Sequence, residues 1–277
     1  MFKKMSIAIT VTIAFLSCSG QMSNSSKPMS YEDSVIDKYL VNGAWQHSIF
    51  SPEWGAYIDS AIALTPRNAA LWQQRAMPLF KQRKYELGMK YLDNAVLYDR
   101  KRYLPYRAFI KCIFAKTYRS AIEDFKQAKQ INGNTVTEMD HTYDFYLGLC
   151  YLQLNEFDNA QCYLDSSISS RQKQLGEDWV HHLDLFYLGI TLYEKKEYTK
   201  CLQVFQKVLN KYKQFSDAKY YSALANMRLG RVIEFARLMS EARGDLKKGY
   251  TINEDNSFYE VYPYQINKYM LEVANSD

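Results

Sequence analysis

The chain has 277 residues, 47% hydrophobic and 23% charged, with 24 Tyr, 14 Phe and 4 Trp. That length allows a substantial core or one elongated array, and the scarcity of Gly (11) and Pro (6) argues against a turn-rich all-β protein. The 35 basic residues are nearly balanced by 30 acidic ones and form no basic stripe, so nucleic acid is not an expected partner.

The first element in chain order is a targeting segment, set aside before any fold reasoning. A basic start, MFKK, is followed by the apolar SIAITVTIAFL. That run is roughly half the ~20 residues needed to span a bilayer, so it reads as a signal region and not an anchor. Leu16-Ser17-Cys18 then places a small residue before a cysteine. This resembles the lipobox of bacterial lipoproteins, with Phe15 standing where Leu is usual. The resemblance implies cleavage after Ser17, a lipid on Cys18 and firm membrane retention by acyl chains at ~0.8 kcal/mol per buried CH₂. Residues 1–17 are then a signal peptide, and the Ser-rich residues 18–34 a flexible tether. Ser19 is not Asp, and no acid follows the cysteine closely. In lipoproteins of this kind that implies the outer membrane of the cell envelope, facing the periplasm; secretion or the cell surface is the alternative.

From Val35 the pattern changes to paired amphipathic helices. The clearest marker is a phrase written twice: FYLGLCYLQLNEFDNA from Phe145 and FYLGITLYEKKEYTKC from Phe186. Leu147, Gly148, Phe157, Ala160 and Leu164 match Leu188, Gly189, Tyr198, Cys201 and Phe205. Apolar residues three and four apart pause at LNEF or KKEY and resume, giving two helices and a short turn. The Leu-Gly-x-x-Tyr of Leu147, Gly148 and Tyr151 resembles the tetratricopeptide repeat (TPR), whose period is 34 residues. Other units carry the same marks: Trp72, Ala76, Tyr85, Leu92 and Ala95; Tyr118, Ala121, Phe125 and Ala128; Ala223, Val232, Met239 and Ala242; and, faintly, Ala61 and Pro66. Six units are expected near 35–68, 69–101, 102–140, 141–181, 182–215 and 216–249. The excess spacing between the two phrases is assigned to an insertion around RQKQLGEDWVHH. The resemblance implies an all-α, right-handed α-solenoid with a concave groove. Residues 250–277 carry no repeat and are expected to cap the last hairpin, with a short helix in INKYMLEVAN presenting Ile266, Tyr269, Met270 and Val273 on one face and starting near Pro263.

No catalytic motif, Gly-rich phosphate loop or zinc spacing is present, so no enzyme activity, cofactor or metal is expected. His141, His181 and His182 sit near Asp140, Asp178 and Asp184 at the starts of first helices, where solvated helix ends are the expectation. Cys112, Cys150 and Cys201 fall in apolar patterns, and Cys150 could pair with Cys162 across a hairpin. In TPR proteins the first helix of each unit lines the groove. The resemblance therefore nominates Tyr106, Phe145, Phe186 and Tyr220 at the fifth position and Arg107, Tyr146, Tyr187 and Tyr221 at the sixth. Aromatics at helical spacing also suit a core, but the sixth-position hydroxyls suit a wet groove. The tail's Phe258, Tyr259, Tyr262 and Tyr264 could also stack in that groove. Co-chaperone TPRs hold a carboxylate with Lys, Asn and Arg; only Arg107 is available here. The expected function is a membrane-anchored adaptor or scaffold binding a protein or peptide partner. A glycan- or small-ligand-binding lipoprotein of a nutrient-uptake system is the alternative.

Overall fold

The computed structural model describes residues 29–273; Cys18, residues 1–28 and residues 274–277 lie outside them. Six helical hairpins follow one another in the described chain. The first is irregular: α1 (Tyr31–Val35) runs into a π-helical turn (Ile36–Val41), and α2 (Pro52–Leu64) follows. The others are regular pairs: α3 (Ala69–Lys81) with α4 (Tyr85–Tyr98), α5 (Arg100–Ile113) with α6 (Tyr118–Asn132), α7 (Tyr143–Gln153) with α8 (Phe157–Leu175), α9 (His182–Glu194) with α10 (Tyr198–Lys211), and α11 (Ser216–Arg228) with α12 (Val232–Lys247). Successive first helices touch, α3 with α5, α5 with α7, α7 with α9 and α9 with α11. They form the inner layer. This is the all-α solenoid of TPR hairpins that the repeated phrase implied.

The repeat chemistry is visible at two places. An ideal Cβ on Gly148 would lie 2.6 Å from Leu164 Cγ, and one on Gly189 2.5 Å from Phe205 Cε1. The glycine lets the two helices of a hairpin close on the large residue of the second. The turn between the helices is the other place. Arg83, Lys116, Asn155, Lys196 and Gly230 all take positive φ, from 54° to 75°. The amide of the following residue then bonds back five residues in four of these turns, as Glu156 N to Tyr151 O (3.0 Å) and Glu197 N to Leu192 O (2.9 Å). This left-handed closure satisfies carbonyls that the helix end leaves open.

Two expectations need correction. Ordered structure begins inside the stretch assigned to the tether. Ser30 Oγ accepts from the Asp33 amide and the Asp33 carboxylate accepts from the Ser30 amide, a capping box that starts α1; Asn68 Nδ2 then donates to Glu32 (2.7 Å), tying the helix to the array. The insertion before unit five lies in the stretch expected for it, and part of it is helix, since α8 spans 19 residues and runs to Leu175 against 14 in α10. Cys150 does not meet Cys162, which is exposed; its Sγ lies 3.4 Å from that of Cys112, both buried. Neighbouring first helices bring these two positions together, whereas Cys162 faces outward from α8.

A two-residue antiparallel pair, β1 (Thr137–Glu138) with β2 (His141–Thr142), interrupts the array before α7. The last element of the described residues is α13 (Lys268–Val273). Here Ile266 and Leu271 are buried while Tyr269 is exposed, so the buried face differs from the one the spacing suggested. Pro263 lies five residues before the helix, in the segment that precedes it. Among the described residues no helix is long and apolar enough to cross a membrane.

Candidate functional site

Residues 251–266 form a loop laid along the inner face, with its two ends clamped at one buried carboxylate. Asp217, at the start of α11, accepts from Thr251 Oγ1 (2.8 Å) and from the Ile266 amide (2.8 Å). Burial pushes the Asp217 carboxyl up to about 6 although these bonds favour its charged form. From Thr251 the loop runs past Glu254 to a 3₁₀ turn, Asp255–Phe258, and reaches the inter-helix turns of units two and three. There Glu260 meets the Tyr85 hydroxyl, Arg83 Nε (3.7 Å) and Lys116 Nζ (3.5 Å). Arg83 also donates to the Tyr259 carbonyl (3.4 Å), and Lys81 stands 4.6 Å from the Tyr259 ring centre. The return path is stitched to the first helices. Tyr187 donates its hydroxyl to the Pro263 carbonyl (3.1 Å), Tyr264 donates to Glu194 (2.9 Å), and its ring packs edge-on against Tyr221 (5.7 Å). A loop of about this length with closed ends is an Ω-loop, and this one fills much of the groove.

That filling decides the fate of the nominated residues. Phe145, Phe186, Tyr220 and Tyr221 are buried, as are Tyr146 (1% exposed) and Tyr187 (0%). The sixth-position hydroxyls do not meet water. Tyr146 donates to the Glu138 carbonyl (3.1 Å) of the β1–β2 hairpin, and Tyr187 to the tail. Burial raises both hydroxyls well above the usual phenol range, so both remain donors. Arg107 is not a ligand clamp either. It bridges Asp93 (2.7 Å) and Asp124 (2.8 Å), joining α4, α5 and α6. Tyr106, like Arg107, is only partly covered. It borders a cavity of about 370 Å³ walled by Met77, Phe80, Phe109, Ile110 and Phe114 and closed on one side by the loop's Asp255, Asn256 and Tyr259. Phe258, at the loop tip, is 91% exposed beside it. Composition alone did not reveal which aromatics would be covered, although the tail's Tyr-rich run was the available signal.

The histidines also depart from the solvated helix ends expected of them. His141, on β2, is 2% exposed and stacks on Phe145 with ring centres 3.8 Å apart. Its Nδ1 lies 3.6 Å from Asp184 and its Nε2 3.6 Å from Glu254 of the loop, so neither nitrogen is within hydrogen-bond reach of a partner. Burial opposes the charged imidazole, but the two carboxylates outweigh it and push His141 up to about 9. Burial takes His182 the other way, down to about 3. His181 caps α9, its Nδ1 accepting from the Leu183 amide (3.3 Å).

No protein-family model matches the sequence, and no curated protein matches it. Solved structures do resemble the fold. A tetratricopeptide repeat protein from Parabacteroides merdae is similar with a TM-score of 0.61 at 14% identity, over 88% of this chain and 87% of that one. PilW, described as a widely conserved type IV pilus biogenesis factor, is similar with a TM-score of 0.58 at 14% identity, over 69% and 84%. YrrB, described as a TPR protein with an unusual peptide-binding site, is similar with a TM-score of 0.51 at 14% identity, over 79% and 97%. With the glycine-mediated helix contacts and the recurrent left-handed turns already described, these likenesses make the chain a TPR protein by fold, one whose inner face is covered largely by its own C-terminal loop.

Proposed function

We propose that this chain is a scaffold of the bacterial envelope, lipid-anchored through Cys18 to the outer membrane and facing the periplasm, which binds a segment of a protein partner on its inner face. The observation that carries the peptide reading is the docked loop. The groove holds a looped polypeptide segment through main-chain carbonyls, one main-chain amide and aromatic packing, and it leaves a cavity of about 370 Å³ open beside Tyr106. An apolar side chain of a partner fits those walls, with the exposed Phe258 ring as a second contact. The similar structures include one described as having an unusual peptide-binding site and one described as a pilus biogenesis factor, which supports a binding role without transferring either partner. The glycan alternative is weakened by burial: the aromatic faces and hydroxyls that a sugar would use are engaged within the protein.

Peptide and glycan arrays probed with the purified chain test this reading. Peptide binding weakened by Tyr106→Ala is expected; saturable glycan binding with no peptide signal would overturn it. For the anchor, Cys18→Ser should release the protein from the membrane fraction. Retention of that variant, with no acyl label on the wild type, would refute lipidation.

A further inference from the structure

We propose that His141, His181 and Asp184 form a divalent metal site, best suited to Zn²⁺, and that an ion held there pins the C-terminal loop through Glu254. The three side chains come from two adjacent repeats, His141 on β2 and the other two at the start of α9. One ligand atom from each lies within 4.8 Å of the others. Two imidazoles and a carboxylate are the donor types of many zinc sites that keep a fourth position for water. The hard, all-oxygen sets of Ca²⁺ and Mg²⁺ do not match.

A second observation points to a ligand independently. His141 is almost fully buried and both its ring nitrogens lack a hydrogen-bond partner. Buried polar atoms are seldom left so, because desolvation is then uncompensated. An ion between His141 Nδ1 and Asp184 supplies the missing partner on that side. On the other side, Nε2 keeps its proton and turns toward Glu254, 3.6 Å away. A carboxylate behind a metal-bound histidine sets the ring's tautomer and orientation. Asp184 is itself positioned: Ser167 Oγ donates to its Oδ1, and Thr142 Oγ1 lies 2.7 Å from Ser167 Oγ. At His181 the helix cap occupies Nδ1 and leaves Nε2 available. The charge also fits. Two carboxylates are withdrawn from water here, and a divalent cation neutralises them where a single protonated imidazole leaves a deficit. No sequence motif announces the set, because His141 and His181 are a full repeat apart and only hairpin stacking joins them.

The rival account is a protonated His141 held between the two carboxylates with no ion. Titration of the tag-free, chelator-stripped full chain with Zn²⁺ by calorimetry, and with Co²⁺ by visible absorption, separates the two. One equivalent is expected to bind, with the intense absorption of a four-coordinate Co²⁺ centre. His181→Gln and Asp184→Asn should weaken binding by at least tenfold, Glu254→Gln by roughly 10–100-fold as an orienting residue, and His182→Gln should leave it unchanged. Circular dichroism confirms that each variant is folded; if Asp184→Asn is not, His181→Gln carries the comparison. Zn²⁺ should also slow amide exchange across residues 251–266. Absence of stoichiometric binding by the wild type, or wild-type affinity in His181→Gln, would overturn the site. Tight binding without slower exchange in the loop would overturn its link to the tail.

Discussion

The hydroxyl of Tyr187 offers a clean test of whether the loop is held by the groove or merely lies against it. Tyr187→Phe keeps the ring, which is fully buried between Phe145 and Phe186, and removes only the bond to the Pro263 carbonyl (3.1 Å). Pro263 is itself buried, so its carbonyl would be left without a donor. Such an orphaned acceptor costs about 1–3 kcal/mol. At 1.4 kcal/mol per tenfold, a loss of about 2 kcal/mol raises the open population of the loop roughly thirtyfold. Hydrogen exchange read by mass spectrometry reports that population directly where closing is fast. Peptides spanning 251–266 should exchange faster by about that factor, while those from α7 and α9 keep their protection. Tyr264→Phe, which removes a less buried hydroxyl that donates to Glu194, should give a smaller change in the same peptides. Unchanged exchange in the loop would show that the Tyr187 bond does not hold it. Equal acceleration in α7, α9 and the loop would show that the hydroxyl supports the repeat core, and the reasoning from loop docking would fail.

Asp217 gives a pH signature of the same docking. Its carboxyl rises from 3.8 to about 6 in the folded chain, chiefly through burial. A raised folded value means that the native state binds the proton more tightly, so this contribution to stability is complete below about pH 4 and is lost as the pH rises through about 6. Urea unfolding at about pH 4 and about pH 7 should therefore show the wild type gaining up to about 3 kcal/mol relative to Asp217→Asn toward acid pH; identical pH dependence in both proteins would refute the assignment. The repeat glycines supply a contrast in packing. Gly189→Ala drives a methyl to 2.5 Å from the Phe205 ring, which should cost about 1–3 kcal/mol in denaturant unfolding. Gly244→Ala, on α12 with nothing within 4 Å of the new atom, should instead stabilise by up to about 1 kcal/mol through helix propensity. Equal effects of the two substitutions would mean that the hairpin contact at Gly189 is not tight.

The hairpin array was legible because its determinants are local. Leu147, Gly148 and Tyr151 recur one unit later as Leu188, Gly189 and Leu192, and each glycine closes on the second helix of its own hairpin. Of these three positions only the last differs, and Leu192 is buried as Tyr151 is. Sixth-position tyrosines were another matter. Helical spacing places Tyr146 and Tyr187 on the inner side of a first helix, but spacing does not say what lies above that side. The β1–β2 hairpin covers one and the tail the other. Arg107 illustrates the same limit for charge, since its partners Asp93 and Asp124 belong to two other helices. The histidines were misplaced for that reason too: a position at a helix start is exposed in an isolated unit and becomes interior once a loop is laid over it.

Periodicity, turn chemistry and the glycines by themselves determined six helical hairpins and the order in which they stack, because those features act between residues within one repeat or the next. The tertiary structure alone decided that residues 251–266 return over more than a hundred and seventy positions of chain to meet Arg83 and Tyr85. It thereby decided that most of the inner face is closed and that His141, Asp184 and Glu254 meet. Contacts of that separation depend on the curvature accumulated over several repeats, a sum that no single stretch of sequence encodes.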